Sequence, residues 1–446
     1  MLNDPEPDKR HAGSGSRRRA LLFALILACF AFVSVYVVVS LTADSLDKEI
    51  AKLQAASLPT TAEDLEKLYE YPPPDKDTTE LWLEAAQLLD NNEYHEATSE
   101  FWDLLLDAHE APSPGSPWKA LPKAEEALKQ HGRPLELLHH AAELGGAARF
   151  PLDFANADYE TVFGLMHSRS CLGLPLIEAH VRAHRGDASG TAQSIRVVFA
   201  LGNALEKEPL LISQALKLFV CDRACEHISV LMPYVDFSDR DLADLRSRVA
   251  AIDCDKTLKF ALVGERAWIL NILTNHDRIM PDDFPKELSQ PALQVRYLRL
   301  LNEYVAAADM AYPHRLDEAE RIDREMKGHG ADDDDTSIPI GNSFTGVAIR
   351  QVTFDATDVA LAAEQFRRKK GRPPKTLDEL MPEFLKKVPI DPFDGKPLRY
   401  VVRDREYVIY SVGKDRVDDG GRCITEMDED GFQLDNPDIV IRVERK

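Results

Sequence analysis

The chain has 446 residues, 44% of them hydrophobic, and a formal net charge of −22 from 76 acidic against 54 basic side chains. That length fits two or three domains with real cores and excludes a wholly disordered polymer. The surplus of negative charge repels phosphate backbones and anionic headgroups, so a nucleic-acid partner is excluded.

Residues 1–19 are polar, rich in Gly, Ser and Arg, and read as a short disordered cytoplasmic tail. Residues 20–41, ALLFALILACFAFVSVYVVVSL, then run for 22 positions without a charge. At helical rise they span about 33 Å, enough for a bilayer core. Arg17, Arg18 and Arg19 precede the stretch, and Asp44, Asp47 and Glu49 follow it. The positive-inside rule therefore predicts a single transmembrane helix over 20–42, N-terminus inside, in the cytoplasmic (inner) membrane, with a periplasmic or otherwise extracytoplasmic body. The membrane is the first expected partner. A cleaved signal peptide has a shorter core and a small-x-small site, and Leu41-Thr42-Ala43 places Leu where a small residue is needed. A lipoprotein reading of the run ending at Cys29 meets further apolar sequence where a polar turn belongs. Ser16-Arg17-Arg18 approximates a twin-arginine signal, but an Arg run is also ordinary positive-inside flanking.

Leu46, Ile50 and Leu53 continue at helical spacing beyond the span. Thr60 and Glu63 fit a capping box for a short helix through Tyr69, which Pro72-Pro73-Pro74 stops as a stiff spacer. Residues 43–77 thus form a helical stalk with a proline spacer. From 78 to 327 the apolar spacing predicts an irregular domain of stacked helical hairpins. Leu81, Ala85, Leu88 and Leu89 form one stripe, and Phe101, Leu104 and Leu105 the next, with a turn at Asn91-Asn92-Glu93. A second pair runs over 176–184 and 192–205, joined at Gly186-Asp187. These pairs are similar to tetratricopeptide hairpins, but no fixed period holds. Residues 112–117 and the Gly145-Gly146 and Arg149-Phe150-Pro151 segments interrupt the helices.

Several side chains in this region carry chemistry. His180 and His184 share a helical face, as a two-histidine metal pair does, but Val181 stands where the zinc motif needs Glu. Cys221 and Cys225 also share a face; a bond from one of them to Cys171 or Cys254 is the disulfide expectation, with buried thiols as the alternative. His139-His140 lies on an apolar helix, and Glu265-Arg266 beside Trp268 either lines a groove or ties helices together. There is no P-loop, no dinucleotide glycine signature and no HExxH, and Gly341 and Gly346 are too far apart for a nucleophile elbow.

Residues 328–343 are a linker by composition, with four consecutive aspartates at 332–335 that stay solvated; the expected boundary spans 328–350. Beyond it, 355–370 reads as a helix with Val359, Ala362, Ala363 and Phe366 on its apolar face and Gly371 as its C-cap. Thr376 and Glu379 suggest a capping box for a short helix. Asp394-Gly395 signals a hairpin turn before a strand at 398–403, with further strands at 407–411 and 438–443. This order is that of a small α+β domain, residues 351–446, with an antiparallel sheet.

The quoted order resembles the globular head of the major pseudopilins of type II secretion systems. The resemblance runs through Gly371-Arg372-Pro373-Pro374, Leu377-Asp378-Glu379-Leu380, Val388-Pro389-x-Asp391-Pro392-Phe393, Gly395-Lys396-Pro397-Leu398-x-Tyr400, Tyr410-Ser411-x-Gly413-x-Asp415 and Asp438-Ile439. It covers about a fifth of the chain. The whole chain resembles membrane-anchored planctomycete proteins that end in such a head, a resemblance that implies no activity. The head resemblance implies a calcium-binding loop after the second strand, with Asp415, Asp418 and Asp419 as ligands and Asp435 and Asp438 closing from the last segment. Lys414, Arg416 and Arg422 are interleaved there, so a solvated acidic loop is the competing reading.

The sequence therefore predicts a mainly α protein: one transmembrane helix, an irregular helical-hairpin domain and a small C-terminal α+β domain. Its expected role is a non-enzymatic binding or scaffolding module of the cell envelope, with a protein partner there and a secretion-related contact through the head. The alternative is an exported enzyme or metalloprotein that uses the His180/His184 or Cys221/Cys225 pairs.

Overall fold

The computed structural model describes residues 46–101, 108, 111–156, 169–275, 290–327, 340–404, 406–422 and 438–444. Two compact units are distinguished, residues 1–58 with 286–299, and residues 59–285 with 300–446. In the first, helix α1 (46–55) carries Glu49, which is paired with Lys52 and Arg299.

The second unit is mainly helical. In chain order it contains α2 (Ala62–Leu68), α3 (Thr79–Leu89), α4 (Asn92–Thr98), α5 (Leu121–Gln130), α6 (Gly132–Glu143), α7 (Arg169–His184), α8 (Ala188–Ala204), α9 (Leu211–Leu231), α10 (Asp239–Ala250) and α11 (Cys254–Thr274). Then come α12 (Pro291–Ala307), whose residues from Leu300 onward belong to this unit, α13 (His314–Lys327) and α14 (Ile340–Lys370). The sheet is β1 (Arg399–Val402), β2 (Glu406–Ser411) and β3 (Ile439–Glu444), antiparallel in the order β1-β2-β3. Arg399 stands opposite Tyr410, and Ser411 opposite Ile439.

Local chemistry explains the helix starts. Asp187 closes the expected turn by accepting from Gly190 N at 2.9 Å, and Asn91 accepts from Tyr94 N at 2.9 Å. At α2 the cap is shifted by one residue: Thr61 accepts from Asp64 N, and Asp64 accepts in return from Thr60 N. The Thr376 capping box does not form. Glu379 turns instead to Lys375 N and Arg372, and a single 3₁₀ turn, Leu377–Leu380, replaces the short helix.

Helix α14 organises the core. It has 31 residues and begins at Ile340, ahead of the expected 355, so the described part of the expected 328–350 joint is helix. Residues 328–339, including the four aspartates, lie outside the described residues. Ile340, Phe344, Val347 and Ala348 are buried at helical spacing, followed by Val352, Phe354, Val359 and Phe366. The helix packs against α9, α10, α11 and α13 and against β2 and β3. Arg246 of α10 forks onto Asp358, Nε–Oδ1 2.7 Å and Nη2–Oδ2 3.2 Å, and reaches Gln365 at 2.8 Å. The helical body and the head thus share one core helix within one compact unit.

One expectation is corrected. Among the described residues no helix is long and apolar enough to cross a membrane. The expected span over 20–42 and the tail before it lie outside the described residues. The transmembrane helix in the fold class, the single-pass inner-membrane location with its extracytoplasmic body, and the membrane as a partner thus find no support in the structure and are withdrawn.

Candidate functional site

The expected calcium residues are in place as a polar network. Asp438 is buried; its Oδ2 accepts from Gly421 N at 2.7 Å and its Oδ1 from Asp419 N at 3.4 Å. Burial raises its pKa to about 6, against the opposing effect of those two backbone donors. Asp418 accepts from the Tyr410 hydroxyl at 3.0 Å and lies 3.7 Å from Arg399 Nε; Asp415 accepts from Val417 N. Asp435 lies outside the described residues. Among the described residues no group of three or more His, Cys, Asp or Glu side chains is placed to hold a metal ion. As placed, Asp415, Asp418 and Asp438 accept from backbone N–H groups and the Tyr410 phenol, and Asp419 lies 3.9 Å from Arg422.

Beside this loop lies a hub that joins several of the quoted head motifs. Asp391 is fully buried. Its Oδ1 accepts from Phe393 N at 2.9 Å and from the Ser411 hydroxyl at 2.8 Å; its Oδ2 accepts from Val412 N at 3.0 Å and from Arg399 Nη1 at 2.6 Å. One carboxylate therefore locks the Asp-Pro-Phe turn to the end of β2.

The histidine and cysteine pairs do not converge. His180 and His184 point to different partners. His180 Nε2 meets His227 Nδ1 of α9 at 2.7 Å, both rings fully buried, and burial lowers the His180 pKa to about 3. His184 Nε2 donates to Pro112 O at 2.9 Å and its ring lies 4.9 Å from Trp118. Cys171, Cys221, Cys225 and Cys254 are free, buried thiols, so the structure carries none of the expected disulfides. Burial pushes the Cys171 and Cys221 thiols up to about 12 and raises Cys225 and Cys254 as well, which keeps them protonated and unreactive. His139 contacts Glu178 at 2.7 Å, and Ser194 donates to the same carboxylate at 2.7 Å. In a nucleophile triad the imidazole lies between hydroxyl and carboxylate; here the carboxylate lies between, and Arg182 holds its other oxygen at 2.6 Å.

The densest buried chemistry lies around the connector between α8 and α9. Glu208 is fully buried. Its Oε1 accepts from the Tyr69 hydroxyl at 3.2 Å. Its Oε2 has no hydrogen-bond partner, although the Ser213 hydroxyl stands beside it. Gln214 Nε2 holds the connector by donating to Leu205 O at 2.8 Å and Glu208 O at 2.7 Å. Glu265 of α11, also buried, accepts from Leu211 N at 3.0 Å at the start of α9. Gly264 permits this approach, since a Cβ there would fall 1.7 Å from Pro209 O. Burial pushes both carboxyls up to about 7, outweighing the Ser213 and Tyr69 hydroxyls at Glu208 and the Leu211 amide at Glu265. Arg266, the next residue, turns to Asn302 at 3.0 Å, and its Nε and Nη2 have no hydrogen-bond partner. Groups that change charge near neutrality inside a core are the structure's main chemical singularity.

Of these residues, sequence reading singled out Glu265 and Arg266 but missed Glu208, Tyr69 and the role of His227. The available signal was slight, because Glu208 closes the charged stretch Glu206-Lys207-Glu208 and the apolar run Leu210-Leu211-Ile212 starts only after Pro209. At the surface, an open cleft of about 730 Å³ is lined by Asp239, Arg367, Arg368, Lys369, Glu383 and Phe384. Its cations are committed: Arg367 to Glu364 at 2.7 Å, Arg368 to Asp239 at 2.8 Å, and Lys369 to Glu383. Compared with protein families, curated proteins and solved structures, the chain finds no match.

Proposed function

We propose that this protein is a non-enzymatic binding or scaffolding module, with its head as the assembly element and a protein as its partner. The observation that carries the reading is the use made of the reactive side chains. His139, His180, His184 and Glu178 each end in a contact that ties one segment of the helical body to another. Burial by α14 of both the helical body and the sheet gives a rigid platform, which suits presentation of a surface more than closure around a substrate. The resemblance to pseudopilin heads favours a secretion-related assembly as the setting.

The test is chemical cross-linking of the tagged full chain in its native cells, with the linked residues mapped. The reading expects one recurrent partner in near-equal amount, linked through surface lysines such as Lys386 and Lys387. A chain recovered alone would overturn it. So would turnover in a hydrolase substrate screen that is lost in E265Q while the fold is kept.

A further inference from the structure

The 59–76 segment is attached to the helical body by the packing of α2 on α11 and by the side chain of Tyr69. Helix α2 buries Leu65, and its C-cap residue Tyr69 makes the buried polar attachments. The Tyr69 hydroxyl donates to Glu208 Oε1 and accepts from Phe150 N at 2.7 Å. Its carbonyl accepts from Arg149 Nε at 2.9 Å, and the Arg149 guanidinium lies 4.6 Å above its ring. Arg149 also pairs with Glu66, and Lys207 with Glu70 at 3.1 Å, both partly in solvent.

Under Tyr69 lies a carboxyl that pairs with no cation among the described residues. The groups facing Glu208 are Tyr69 from the segment and Ser213 and Gln214 from α9. Arg149 stacks on the Tyr69 ring and pairs with Glu66, Lys207 turns to Glu70, and Glu265 is engaged with Leu211 N. Ser213 Oγ and Glu208 Oε2 are both buried, and the hydroxyl favours the ionised carboxyl less than burial disfavours it. Ionising Glu208 beneath Tyr69 carries a desolvation cost, which water would relieve if Tyr69 lifted away.

We propose that the 59–76 segment is a proton-sensitive strap, docked on the helical body while Glu208 is protonated and loosened when Glu208 ionises. The direction follows from linkage. Glu208 binds its proton more tightly in the docked than in the open state, so docking is strongest in acid and weakens as pH rises through neutrality.

Hydrogen exchange of the full chain, read on peptides from 61–71 and corrected for intrinsic exchange, tests this. From pH 6 to pH 8.5 the protection of these amides should fall about tenfold while peptides of α14 keep theirs. In E208Q the fall should vanish, and in E265Q it should persist. A flat wild-type profile overturns the strap, as does an E208Q profile with the wild-type slope. Should E208Q not fold, Tyr69→Phe decides. It removes the Glu208 contact and keeps the ring, so protection should drop at pH 6; unchanged protection refutes the latch.

Discussion

Replacing Glu265 by Gln should stabilise the protein at alkaline pH and leave it nearly unchanged in acid. Glu265 is buried in α11, and its one observed hydrogen bond comes from Leu211 N. Burial moves its pKa from the ordinary 4.5 to about 7. At 1.36 kcal/mol per pH unit, ionising it inside the fold costs about 3 kcal/mol relative to the unfolded chain. The raised folded-state value fixes the sign. The stabilising contribution is complete below about pH 4.5 and is lost as pH rises through 7. Gln has no charge to lose, but its amide must still present oxygen to Leu211 N, and any misfit there is independent of pH. Urea unfolding of wild type and E265Q at pH 5 and pH 8 gives the quantity that matters, the change in their difference. It should grow by about 2–3 kcal/mol in favour of E265Q at pH 8. Other raised carboxyls, such as Asp355 and Asp438, titrate alike in both proteins and cancel. A difference that is the same at both pH values would mean that Glu265 is solvated in the native state, and the reasoning from its burial would fail.

Asp391→Ala should destabilise the chain by about 3–5 kcal/mol, because it strands the Arg399 guanidinium, two backbone N–H groups and the Ser411 hydroxyl in a buried site. Denaturant unfolding measures it, and a loss under 1 kcal/mol would show that the hub is dispensable. Calcium at millimolar concentration should leave the melting temperature where chelator leaves it, since the described aspartates are already engaged; a rise of several degrees would mean that a ligand such as Asp435 completes a site.

The parts of this fold that were legible in the sequence are those decided within a few residues. Asp187 and Asn91 cap helices at the two turns expected there, and the strand expected at 407–411 appears as Glu406–Ser411. The start of α14 was hidden, although Ile340, Phe344, Val347 and Ala348 stand at helical spacing. Gly341, Asn342, Ser343 and Gly346 give the same stretch the composition of a loop, and burial against the helical body outweighs their poor helix propensity. The meaning of the Asp-Pro-Phe turn depends on Ser411 and Val412, which only the hairpin brings to Asp391.

The buried carboxyls show where local reading ends. Glu265 follows a glycine and precedes an arginine, and sequence supports either a groove or an ion pair with its neighbour. On a helix, however, adjacent residues point about 100° apart, so Glu265 and Arg266 face different elements: the start of α9 for one and Asn302 of α12 for the other. Gly264 sets this division, because only a residue without a Cβ lets the Pro209 carbonyl lie against α11 and bring Leu211 N to the carboxylate. The same close approach helps to fix the connector that carries Glu208, which pairs with no cation among the described residues. Two acids with raised pKa values thus follow from one backbone contact, and their proton affinity is a property of how α8, α9 and α11 meet rather than of any motif.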